Sequence, residues 1–183
     1  MISPIRRLLG RNRQAPCEPP PGIRINVPQS VMRALRSATT PRRGVGEPLA
    51  FLRARYASED TTDVLVGIGA IQFAQEAYVA GDAGANFDTG WTVGIANAEI
   101  RSNTGLLLVH SHGGRGQPAF SHIDRTTNAE VMLPFSIGIS CAPYGALVLS
   151  DDDASAVVAV DRRLVAARVV AVADWNSQGN AHA

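Results

Sequence analysis

Apolar positions along the chain switch between two periods. Ile23, Ile25 and Val27 alternate with polar neighbours, as a short strand requires. Val31, Met32, Leu35 and Ala38 then recur at helical spacing between Pro28, which can open a helix, and Pro41, which ends it. Strand-like runs follow at Glu47 to Tyr56 and Val64 to Phe73, with the acidic stretch Ser58 to Asp63 read as a hairpin connection. Gly81 to Gly90 is small, polar and glycine-rich, so a surface loop is expected there, and Trp91 to Ile100 reads as a helix. Leu106 to Val109 is an apolar run of the type found in buried strands. Ser121 to Leu133 suits a helix stopped by Pro134. Four further strand-like runs are Ile137 to Ser140, Ala146 to Leu149, Ala156 to Val160 and Leu164 to Val172.

Helices and strands are interspersed without a regular βαβ alternation or an internal repeat, which predicts an α+β or mixed α/β domain around one sheet. Met1 to Gly22 holds five prolines and scattered arginines and reads as an irregular tail; residues 23–175 form the single expected domain, and 176–183 a second tail. With 45% apolar residues the chain can build a core. No apolar run approaches the roughly 20 residues that span a bilayer, so no membrane association is expected. The basic start, Met1 to Arg13, lacks the hydrophobic region of a secretory signal, and Cys17 and Cys141 make no disulfide framework. A reducing, cytoplasmic setting is the expectation.

Charge changes the picture more than composition does. Residues 1–55 carry 11 arginines against Glu18 and Glu47, a balance of +9, whereas residues 56–183 carry 6 arginines against 14 acids, a balance of −8. The basic segment can meet phosphates or an acidic partner. It has no interleaved aromatic residues on which bases would stack, so nucleic acid is not the expected partner.

The chemistry concentrates in one stretch, Val109 to Asp124, which holds three of the four histidines. If the strand at Leu106 continues, His110 and His112 lie two apart and project from one face at its end. Asp124 follows a glycine-rich loop and can bring a carboxylate to the same point. Two imidazoles and one carboxylate suit Zn²⁺, with a fourth position open for water. Ser121 and Asp124 are also spaced as the N-terminus of a helix requires, the serine capping and the acid three residues on. Such a cap would itself aim Asp124. Other metal templates fit worse: no glutamate follows the His-x-His pair as in cupins, Gly114 and Arg115 stand where metallo-β-lactamases have Asp-His, and His-Glu-x-x-His is absent. Cys141 reads as a buried apolar residue, His122 as solvent-facing, and Trp91 and Trp175 as packing residues.

His110-Ser111-His112, followed after a short loop by Ser121-x-x-Asp124, resembles the JAMM motif of the JAB/MPN metalloproteases. The likeness extends from about Glu47 to Val158: Glu47-Pro48-Leu49-Ala50-Phe51-Leu52 is similar to the early strand that carries the family's glutamate, and Pro143-Tyr144-Gly145-Ala146-Leu147-Val148-Leu149 to a glycine-led strand of bacterial members. The resemblance implies an α+β MPN/JAB domain, a central, mainly antiparallel curved sheet flanked by helices in the cytidine-deaminase-like manner. It implies Zn²⁺ held by His110, His112 and Asp124, with Glu47 as general base and Ser121 holding the oxyanion. The implied activity is cleavage after the C-terminal glycine of a ubiquitin-like modifier, maturing it or freeing it from targets beside bacterial conjugation enzymes, antiviral systems included. A sulfur-carrier precursor as substrate and a catalytically silent modifier-binding scaffold are the alternatives within the family. The chain departs from the usual pattern at Gly113, where proline is common, and in having eight rather than seven residues between His112 and Ser121. Glu59 is the second acid near an early strand, but Glu47 is followed directly by apolar residues and is preferred.

All 17 positive side chains are arginine. Coding bias is the ordinary cause. Beside enzymes that modify lysine, however, a lysine-free surface also leaves no ε-amine on which this chain could be modified. The lysine content of unrelated proteins from the same genome decides between the two.

Overall fold

The computed structural model describes residues 22–40, 47–58, 61–74, 77–78, 90, 94–95, 98–99, 104–138, 142–160 and 162–174, and for 58, 61–63 and 131–138 the backbone alone. The elements follow in the order β1 (Arg24–Pro28), α1 (Gln29–Ala38), β2 (Ala50–Ser58), β3 (Thr61–Gln72), β4 (Gly105–Ser111), α2 (His122–Gly138), β5 (Gly145–Leu149), β6 (Ala154–Val160) and β7 (Arg163–Val172). The strands close into a barrel in the order β1-β3-β2-β4-β5-β6-β7. Pairing is antiparallel at β2–β3, β2–β4, β5–β6 and β6–β7, and parallel at β4–β5 and on both flanks of β1.

Alternation along the strands sorts side chains into two clusters. One takes residues from all seven strands, among them Ile25, Leu52, Leu65, Val109, Leu147, Val158 and Ala167, and is therefore the barrel interior. Met32, Leu35 and Ala38, one face of α1, join it. The opposite parity of β2 and β4 gives Leu49, Phe51, Leu106 and Leu108, which pack outside the barrel with Phe73 and Tyr144. β5 is buried at every position and β4 at all but its last, which explains their unbroken apolar runs. Gly105 opens β4 because a Cβ there would collide with the Pro143 carbonyl oxygen. Among the described residues no helix is long and apolar enough to cross a membrane.

The expected α+β architecture, a central, mainly antiparallel curved sheet flanked by helices, is overturned. The sheet closes into a seven-stranded barrel of mixed direction, because β1 pairs Arg24 with both Val64 of β3 and Arg168 of β7. Closure satisfies backbone groups that an open sheet leaves at its edges. Local expectations fared unevenly. The strand predicted from Glu47 begins at Ala50, and the hairpin predicted over Ser58 to Asp63 is tighter, with Ser58 paired to Thr61. The helix predicted to stop at Pro134 runs on to Gly138, taking in the start of the strand predicted at Ile137. One proline removes a single helical hydrogen bond, and here the helix continues through it. Residues 81–89, most of 91–100, Glu59, Cys141, Trp175 and both predicted tails, apart from Gly22, lie outside the described residues; Gly90, Gly94, Ile95, Ala98 and Glu99 are helical.

Candidate metal centre

The end of β4 carries the two histidines. His110 and His112 share the parity of Leu106 and Leu108, so both project to the outer face of the barrel. β5 supports this end: His110 lies opposite Val148, and the His112 N–H continues the ladder by donating to the Leu149 carbonyl at 3.0 Å. On the other flank β2 and β4 pair up to Ala50 opposite Val109. One more step of that register brings Leu49 to His110, and three bring Glu47 to His112. Pro48 has no N–H to extend the ladder, and Leu49 is held instead through its carbonyl, which accepts from Phe73 N–H at 3.2 Å, and its N–H, which donates to the Tyr78 hydroxyl at 2.7 Å. The lead-in to β2 thus places Glu47, half-buried, beside the histidines. One ligand atom from each of Glu47, His110 and His112 lies within 4.8 Å of the others, and these three residues could hold a metal ion.

Asp124 arrives from α2, which packs over β4 to β7. Ser121 caps that helix by accepting from Asp124 N–H at 3.1 Å, while Asp124 Oδ2 accepts from Ser121 N–H at 2.6 Å. This reciprocal pair fixes where the carboxylate points. Asp124 Oδ1 lies 3.2 Å from His110 Nε2 and Oδ2 lies 3.3 Å from His112 Nε2, and the two Nε2 atoms are 3.1 Å apart. Ser121 reaches the cluster through Asp124.

Hydrogen bonding alone does not satisfy this cluster. A neutral imidazole has one N–H and one lone pair. With both Nε2 atoms protonated, both carboxylate contacts are favourable but two N–H groups face each other. With one protonated, a lone pair faces the carboxylate on the other side. A cation among these four atoms would suit every contact.

The electrostatics favour neutral His110 and ionised Asp124, the forms that bind a cation. Burial pushes the His110 imidazole below its ordinary 6.5, against the raising pull of the Asp124 and Glu47 carboxylates. Burial alone would raise Asp124, but the bonds from Ser121 and the charges of the two imidazoles hold it below 3.8. For His110 the unfolded chain takes up its proton first as pH falls. Its contribution to stability is therefore fully present above pH 6.5 and is lost as pH falls through the lower folded value. The metal-free chain is expected to lose stability to urea as pH drops from 6.5, and His110→Gln to flatten that decline. An equal slope in the variant would assign the decline to another group.

His122 and Arg115 are exposed beside the cluster. Asp151, Asp152 and Asp153 belong to no motif, yet the turn they form bonds the loop between His112 and Ser121: Asp151 N–H donates to the Gly114 carbonyl at 2.7 Å, and Asp152 Oδ1 accepts from Gly116 N–H at 2.7 Å. The run of turn-forming acids after β5 was the available signal.

No family model and no curated protein matches the chain. Among solved structures it is similar to the solution structure of protein DSY2949 from Desulfitobacterium hafniense, with a TM-score of 0.51 and 12% identity over 84% of this chain and 97% of that one. At this identity the likeness is one of fold.

Proposed function

We propose that the chain is a zinc-dependent hydrolase of peptide or isopeptide bonds, of the JAMM type, acting after the C-terminal glycine of a ubiquitin-like modifier. The observation that carries the metal is the convergence of two imidazoles and one carboxylate: the two Nε2 atoms are 3.1 Å apart, and each has its own Asp124 oxygen 3.2 or 3.3 Å away. Ligands about 2.0–2.1 Å from a tetrahedral ion stand about 3.3–3.4 Å from one another. Two imidazoles and a carboxylate, with a fourth position for water, are the donor set of catalytic zinc. The bond class rests on the motif and on Glu47 beside the histidines, not on the barrel, since a fold hosts many activities.

Zinc held there would supply an acidified water and polarise the scissile carbonyl. Glu47 takes the proton of the attacking water and returns it to the leaving amine. Ser121 uses its oxygen to cap α2 and still has a hydroxyl proton to donate to the developing oxyanion. No bond to the protein forms during the reaction. The test is metal analysis of the purified chain together with incubation on a ubiquitin-like protein carrying a peptide after its terminal glycine. About one zinc per chain and release of the peptide are expected. A chain that takes up no zinc when supplied with it would sink the reading.

A further inference from the structure

Eight residues separate His112 from Ser121, and Gly113, Gly114 and Gly116 take φ values of 65°, 73° and 83°. This loop sets where Ser121 and Asp124 stand relative to the two histidines. It has no regular structure of its own, so something else must fix its shape. The β5–β6 hairpin bonds it at alternate residues: Asp151 N–H to the Gly114 carbonyl, Asp152 Oδ1 to Gly116 N–H, and the Ser155 hydroxyl to the Pro118 carbonyl at 2.6 Å. The turn is in turn cross-tied. Ser150 N–H donates to the Asp153 carbonyl at 3.0 Å, Asp153 N–H to the Ser150 hydroxyl at 2.9 Å, and Arg36 of α1 donates to the Ser150 carbonyl from across the barrel. The Ser150 hydroxyl also lies 3.3 Å from Asp152 Oδ1, and Asp153 Oδ1 accepts from Ala154 N–H at 2.7 Å.

We infer that Asp152 is a positioning residue for the metal centre: its carboxylate clamps the Gly116 N–H and thereby holds Asp124 at the distance from His110 and His112 that a metal ion needs. The bond is charge-assisted and holds the middle of the loop, while at its far end the Arg125 guanidinium donates to the Phe120 carbonyl. Outer-shell partners of this kind are worth about 10- to 100-fold in metal affinity. The role rests on the metal reading above, and the experiment separates the two.

Co²⁺ alone is titrated into the wild-type chain, Asp152→Ala and Asp152→Asn, with the visible band read for affinity and geometry. Amide hydrogen exchange across 113–120 is followed in the metal-free proteins. Asp152→Ala should lose about 10-fold in affinity and exchange faster at Gly116, whereas Asp152→Asn, which keeps the acceptor oxygen, should stay within about threefold of wild type. A wild-type chain that binds Co²⁺ beside an Asp152→Ala chain of equal affinity and band overturns the positioning role alone. A wild-type chain that binds no Co²⁺ overturns the metal reading and the positioning role with it; the exchange data then still show whether Asp152 holds the loop.

Discussion

Glu47→Gln is expected to bind metal as the wild-type chain does and to hydrolyse its substrate about 10³-fold more slowly, within the range for loss of a general base. Glutamine keeps the size and hydrogen-bonding reach of glutamate but cannot take up a proton. The substitution should leave the site's shape alone, because the segment is held by Leu49 through Phe73 and Tyr78 rather than by Glu47 itself. Parallel metal analysis and single-turnover rates decide the matter. Loss of metal in the variant would make Glu47 a ligand, a role its position within 4.8 Å of the imidazole nitrogens also permits. A wild-type rate would remove it from the chemistry.

Asp124→Ala should weaken metal binding, read by competition with a chelator of known affinity. Bound structural zinc is worth about 10–16 kcal/mol over four ligands, so one ligand carries roughly 3 kcal/mol, or on the order of 10²-fold in affinity. The variant also loses the acid partner of the Ser121 cap, and a control separates the two effects. Ser121→Ala removes the capping hydroxyl at a cost of about 1 kcal/mol while leaving His110, His112 and Asp124 in place. It should keep its metal and lose only stability and rate. Equal metal loss in the two variants would mean that the cap, not the carboxylate, makes the site.

These expectations could be framed from sequence because the candidate site is local. His110 and His112 are aimed by strand parity, which a reader of Leu106 to Val109 can extend by two residues. Asp124 is aimed by a capping pair, and caps are written in four consecutive residues. The strands β5, β6 and β7 were legible for the same reason, as short apolar runs of β-branched character. What was not legible depends on distant partners. Nothing in Arg24 to Pro28 shows that this strand lies parallel to both β3 and β7, and without those pairings the sheet reads as open. Ile137 fell to the wrong element because a short apolar run after a proline suits a strand as well as the end of a helix. Asp152 was invisible because its partner, Gly116, lies 36 positions earlier in the chain.

The manner of closure also sets an order of assembly. The β2–β3 hairpin and the β5–β6–β7 meander can form from neighbours in sequence, and His110, His112, Ser121 and Asp124 all fall between Gly105 and Leu149. β1 must wait for β7, the last of the described strands, so the ring closes through its contacts of longest sequence separation, the kind that forms slowly. A chain cut short before Arg163 would keep each of these candidate site residues and lose its seal. Its bare flanks on β1 and β6 would then pair with other chains, and aggregation rather than loss of the centre would decide its fate.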